Sequence, residues 1–225
     1  MASFVLVPGA GGMAWYWHRA VPLIRAAGHE PVAVDLPGDD RQAGLTTYAD
    51  IIISAIAERS DAILVAQSLA GFTVPPVCAR APVQMVVFVN AMIPRPGETA
   101  GAWWGATGAV DAREQAAARC GYATEFDVGT YFLHDLPQDV LRAGPEQPRE
   151  QAETVFGEPC RFERWPDIPF MFLRDETTAF SRSNFNGVLR VKDSVRRWMK
   201  FLVAISSRCR TRKGWPSAFL HMRRA

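Results

Sequence analysis

The chain has 225 residues, of which 48% are hydrophobic and 21% charged, with a formal net charge of +2. Those proportions exclude a disordered chain, and the length suffices for one domain with an inserted segment, without cross-links to hold it. The charge is uneven: residues 176–225 carry twelve Lys or Arg against Glu176 and Asp193, so a tail of +10 follows a body of −8.

Phe4-Val5-Leu6-Val7 is an apolar run ending in Pro8-Gly9-Ala10-Gly11-Gly12, which predicts a buried strand and a tight turn. Residues 15–27 place Trp17, Val21 and Ile24 on one helical face and stop at Gly28. A second strand is expected over Pro31–Asp35, and a helix capped by Thr46 or Thr47 runs through Ile56. Ala62–Ala66 reads as a third strand. Ser68 follows closely and opens a helix towards Arg80, and Met85–Val89 is a fourth strand. Apolar strands alternating with helices imply an α/β fold, a mostly parallel sheet with helices on both faces.

That rhythm breaks after Pro94. The segment holds Trp103, Trp104, an alanine-rich helix over 111–119 and Tyr131-Phe132-Leu133-His134-Asp135. The sheet resumes at Ile168–Leu173, and residues 188–205 place Val188, Val191, Val195, Trp198, Leu202 and Ile205 on one helical face. The expected organisation is a core of residues 1–93 and 166–205, a helical lid over 94–165 and an atypical basic tail over 206–225.

No run of about 18 uncharged apolar residues occurs, so no membrane span is expected. Met1-Ala2-Ser3-Phe4 lacks the basic start of a secretion signal, which favours a cytoplasmic location. Cys78, Cys120, Cys160 and Cys209 are far apart and do not cluster with the four histidines; they read as isolated reduced thiols, with no metal site.

The most informative stretch is Ile63-Leu64-Val65-Ala66-Gln67-Ser68-Leu69-Ala70-Gly71. A strand, a sharp turn bearing serine and a departing helix form a nucleophile elbow, usually written G-x-S-x-G. Small residues are needed at −2 and +2 because strand and helix pass closely; here they are Ala66 and Ala70. The geometry lifts the hydroxyl above the sheet and aims the N–H of Leu69 at a bound carbonyl. A serine capping the following helix would give the same local sequence. The turn at 8–12 lets backbone approach an oxyanion closely. Its G-x-G lacks the third glycine of a dinucleotide loop and the Lys-Ser/Thr of a P-loop. Asp35 at the end of the second strand keeps a dinucleotide fold as an alternative.

Taken together, these segments, with Ala14-Trp15-Tyr16-Trp17, Ala26-Ala27-Gly28-His29 and Val34-Asp35-Leu36-Pro37-Gly38, resemble the α/β-hydrolase superfamily over residues 3 to about 174. The resemblance is to its esterase and hydroxynitrile-lyase-like branch. One departure is Pro8, where the branch usually carries histidine. The resemblance implies a Ser-acid-His triad built on Ser68, oxyanion donors at the backbone N–H of Ala10 and Leu69, no metal or organic cofactor, and hydrolysis of a small ester through an acyl-enzyme. Trp103 and Trp104 would suit a substrate with a hydrophobic part, or simply pack the lid. His134 falls where related sequences carry a His-Asp pair in the lid.

The acid belongs in the turn after the Phe170–Leu173 strand, where Arg174-Asp175-Glu176 offers Asp175 first and Glu176 next. The family's histidine segment aligns with Met199–Ser206 and puts Phe201 in the histidine's place, leaving His221 as the remaining candidate base. Losing a triad base costs on the order of 10⁶ in turnover. Besides an ester hydrolase, the chain could be a non-catalytic protein of this fold binding a hydrophobic ligand, or a hydroxynitrile-lyase-like enzyme. The basic tail suggests a further role on anionic lipid or nucleic acid. A solvated helix packed on the sheet accounts for the same pattern, and no nucleic-acid partner is expected.

Overall fold

The computed structural model describes residues 1–173 apart from 58, 122, 126–137 and 146–148. Among these, five strands form one sheet: β1 (Ser3–Val7), β2 (Glu30–Ala33), β3 (Ala62–Gln67), β4 (Met85–Val89) and β5 (Phe170–Leu173). Their spatial order is β2-β1-β3-β4-β5, and every pairing is parallel. The helices are α1 (Ala20–Ala26), α2 (Leu45–Ile56), α3 (Val74–Cys78), α4 (Ala100–Ala106), α5 (Ala109–Cys120), α6 (Gln138–Ala143) and α7 (Thr154–Gly157). The expected α/β class is thus the observed one, with α4–α7 lying between β4 and β5 in the chain.

Neighbouring strand residues point to opposite faces, and here both faces are core. Val5, Val7, Leu64, Ala66, Val86, Phe88 and Phe170 pack with Tyr48, Ala49, Ile52 and Ile56 of α2 and with Val74 and Val77 of α3. Phe4, Leu6, Val65, Met85, Val87 and Met171 pack on the other side with Ala20 and Ile24 of α1. Such two-sided burial is why the strands read as continuous apolar runs. Removing a side chain such as Ile52, which is fully buried, would cost about 2–5 kcal/mol.

Two local expectations need correction. Neither Thr46 nor Thr47 caps α2: the N-cap is Gly44, which has no side chain to offer. Glu158 supplies the acceptor instead, taking the Leu45 N–H at 2.5 Å on Oε2. A carboxylate there satisfies an orphan donor and complements the helix dipole. The helix expected from Ser68 to Arg80 is a 3₁₀ segment, Ser68–Thr73, followed by the short α3. Pro75 and Pro76 sit at its N-terminal positions, where proline is tolerated because those N–H groups have no partner within the helix.

The topology locates the site. From β1 the chain moves to β2 on one side, then returns to β3 on the other. The loops leaving the C-terminal ends of β1 and β3 therefore diverge, opening the crevice where ligands bind in sheets of this kind.

Candidate active site

Ser68 is the first residue beyond β3, at that crevice, with φ 51°. For a residue other than glycine this left-handed conformation costs about 1–2 kcal/mol. Surrounding contacts impose it. The Ser68 carbonyl accepts the Met92 N–H at 2.9 Å. Thr73 Oγ1 donates to the Ala70 carbonyl at 2.6 Å, and Phe72 and Val74 are fully buried. Ala66 and Ala70 are both buried. The tightest backbone approach falls one residue further on, at Gly71, where a Cβ would collide with the Met92 carbonyl oxygen.

The turn after β1 lies directly against this serine. A Cβ on Gly9 would stand 2.8 Å from Ser68 Cβ and 3.4 Å from its Oγ. Within the turn, Gly9 N–H donates to Gln67 Oε1 at 3.1 Å, Gly11 N–H to Gln151 Oε1 at 3.1 Å, and Gly12 N–H to the Gly9 carbonyl at 3.0 Å. Among the described residues, the N–H groups of Ala10 and Leu69 donate to none. Two peptide donors left open beside a strained serine are what stabilising a developing oxyanion requires.

A segment far along the chain covers the turn. Arg149 donates to the Leu36 carbonyl and pairs with Asp35 at 3.0 Å. Asp35 Oδ1 also accepts the Ala14 N–H at 2.9 Å. Both carboxylate oxygens of Asp35 are therefore engaged within the protein, where they anchor the turn. Tyr48 and Tyr16 frame the same region, and burial raises both phenol pKa values, opposed at Tyr48 by the Gln151 hydrogen bond and then Arg149, and at Tyr16 by Arg149. Gln151 and Gln67 carried no signal in the sequence; a lone amide acquires meaning only when the fold shows which peptide it meets.

The remaining expected site residues divide into two groups. Trp103 is buried on α4, donates its indole N–H to the Ile93 carbonyl at 3.2 Å, and meets Trp104 edge to face at 5.7 Å. Asp175, Glu176, His221, His134 and Phe201 lie outside the described residues, as do the 188–205 helix and the 206–225 tail. Of the described histidines, His18 bonds the Trp15 carbonyl through Nδ1 at 2.9 Å, and His29 Nδ1 accepts the Ala2 N–H at 3.0 Å. Neither bonds Ser68. Among the described residues no His, Cys, Asp and Glu grouping could hold a metal ion, and no helix is long and apolar enough to cross a membrane.

A strained serine between β3 and a 3₁₀ turn, faced by a glycine turn from β1, defines the architecture of an α/β hydrolase. Residues 4–216 match the Alpha/beta hydrolase family, and the chain belongs to it. Among characterised relatives, it is 33% identical over 110 residues to the probable esterase PIR7A of Oryza sativa subsp. indica, covering 44% of this chain and 42% of the rice protein. It is 32% identical over 105 residues to methyl jasmonate esterase 1 of Vitis vinifera, covering 41% and 40%. The matched stretch thus spans about two-fifths of the length of these relatives. Among solved structures, an extracellular α/β-hydrolase from a Paenibacillus species superposes with a TM-score of 0.66 at 18% identity, covering 94% of this chain and 100% of that one. A methylesterase from Arabidopsis gives 0.55 at 20% identity, covering 76% and 77%.

Proposed function

We propose that the protein is a serine hydrolase that cleaves a small carboxylic ester through an acyl-enzyme on Ser68. The observation that carries this reading is the pairing of a left-handed Ser68 with two open peptide donors, Ala10 and Leu69, at one crevice. Family membership and the esterase names of its relatives agree with it.

In this reading Ser68 Oγ attacks the ester carbonyl carbon while a base takes its proton. The carbonyl oxygen becomes an oxyanion held by Ala10 N–H and Leu69 N–H, the C–O bond to the alcohol breaks, and the alcohol leaves with the proton. Water then releases the acid by the same route. Asp175, with Glu176 next to it, is the proposed acid, and His221 the proposed base in place of the histidine that Phe201 replaces. The segment 94–165 serves as the lid over a core of 1–93 and 166–205, with 206–225 as a basic tail. Trp103, Trp104 and His134 shape the acyl or alcohol side of the pocket. No cofactor takes part, and the site of action is cytoplasmic.

A fluorophosphonate probe tests the reading. It should label the protein stoichiometrically at Ser68, and Ser68→Ala should abolish labelling without loss of fold. Absence of labelling in folded protein refutes the hydrolase reading. His221→Ala should slow labelling strongly; an unaffected rate would remove His221 from the mechanism.

A further inference from the structure

Building on that reading, we propose that Gln151, together with Gln67, is a positioning residue that holds the Ala10 peptide in place as an oxyanion donor. The turn Gly9–Gly12 has three occupied N–H groups and one open one. Gly9 and Gly11, on either side of Ala10, are each tied by a side-chain amide oxygen at 3.1 Å. A peptide unit has only two soft dihedrals per residue. The unit that carries the Ala10 N–H is itself tied through its Gly9 carbonyl, which accepts the Gly12 N–H at 3.0 Å, and the glutamines tie the units before and after it, so rotation of that N–H is opposed at all three.

The two glutamines differ in origin. Gln67 belongs to the elbow itself, whereas Gln151 arrives from 140 positions away. The orientation of the Gln151 amide follows from its partners. Its Nε2 donates to the Gly38 carbonyl at 3.0 Å, the Tyr48 hydroxyl at 3.1 Å and the Ala152 carbonyl at 3.3 Å, so Oε1 is the atom facing Gly11. The segment has its own anchors besides this amide. Ala152 N–H donates to the Gly38 carbonyl at 2.7 Å, and Arg149 grips Leu36 and Asp35. Deleting the amide should free the Gly11 N–H without unseating residues 149–152.

An oxyanion donor acts most strongly where charge on the oxygen is greatest, in the transition state. The effect of Gln151 therefore belongs in the chemical step and not in substrate affinity. A merely structural role would not produce that division.

The experiment measures fluorophosphonate inactivation as a function of probe concentration, separating the saturating rate from the half-saturating concentration. Gln151→Met keeps the side-chain length and removes the acceptor. Its saturating rate should fall about 10- to 100-fold, with the half-saturating concentration unchanged within about twofold. Affinity for an alkyl trifluoromethyl ketone, which adds to Ser68 as a charged tetrahedral adduct, should fall by the same factor. Gln84→Met is the control: that amide donates to the Ser60 carbonyl at 3.2 Å, just ahead of β4 at the N-terminal ends of the strands, away from the crevice, and neither quantity should change. An unchanged saturating rate in Gln151→Met, or a change in half-saturation alone, overturns the assignment and leaves the Ser68 reading standing. A wild-type protein that is folded and never labelled overturns both. If Gln151→Met does not fold, Gln67→Met carries the same prediction through Gly9, and a wild-type rate there also overturns it.

Discussion

The contact between Gly9 and Ser68 makes Gly9→Ala an informative perturbation. A methyl group at Gly9 would lie 2.8 Å from Ser68 Cβ and 3.3 Å from the Gln67 carbonyl oxygen. Ordinary contact begins near 3.4 Å, so the turn and the elbow must separate by about 0.6 Å. The turn cannot simply retreat, because Gly9 is hydrogen-bonded at both its N–H and its carbonyl. Overpacking of this kind costs about 1–3 kcal/mol. At about 2–4 °C per kcal/mol for a chain of this size, Tm should fall by roughly 2–12 °C. A misplacement of about 1 Å costs on the order of 10² in rate, so fluorophosphonate labelling should slow by at least about tenfold. Gly105→Ala is the contrasting control: it lies in α4 with nothing near an added Cβ, and should stabilise by about 0.5–1 kcal/mol. Labelling at the wild-type rate together with an unchanged Tm in Gly9→Ala would refute the placement of the turn against the serine.

Other expectations follow from single residues. Because Ser68 is held at φ 51°, Ser68→Gly should be more stable than Ser68→Ala by about 1 kcal/mol, measured by urea unfolding; an Ala variant of equal stability would show the strain to be absent. Burial raises the thiols of Cys78 and Cys160 to about 12, leaving about one thiolate in 10⁴ at pH 8. Peptide mapping after iodoacetamide treatment should find both unmodified until the protein is unfolded, and rapid alkylation of folded Cys160 would contradict its buried bond to the Phe72 carbonyl. Hydrogen bonds from Arg59 and then Ser3 lower the Glu30 pKa from 4.5. A lowered carboxylate binds fewer protons folded than unfolded, so its stabilising effect is complete above the ordinary value and fades as pH falls through the folded one. The stability gap between wild type and Glu30→Gln should hold steady from about pH 7 down to 5 and close below about pH 4; a gap that widens in acid would reverse the sign.

The strands were legible because the sheet is buried on both faces. Val5 and Val7 enter one core and Phe4 and Leu6 the other, so each strand is an unbroken apolar run between turn residues. The second strand is the exception: it ends at Ala33 and not Asp35, and Asp35 anchors the turn beyond it. Ser68 was legible because an elbow places strand, serine and small residues next to one another in the chain. What the sequence did not disclose were partners supplied from a distance. The cap of α2 comes from Glu158, and the acceptor of Gly11 from Gln151. Neither residue sits in a periodic pattern, and neither differs in type from dozens of solvated side chains. Their roles arise only when residues 149–158 lie across the turns that follow β1 and β2.

The long reach of Gln151 also sets an order of events in time. The chain is synthesised from its N-terminus at about 5–20 residues per second. Ser68 therefore emerges roughly 4–17 s before Gln151. During that interval the nascent protein carries Ser68 with the Gly9 end of the turn able to dock and the Gly11 end still without its acceptor. The turn is completed only when a late segment folds back over an early one, and Asp175 and His221, the proposed acid and base, are made later still.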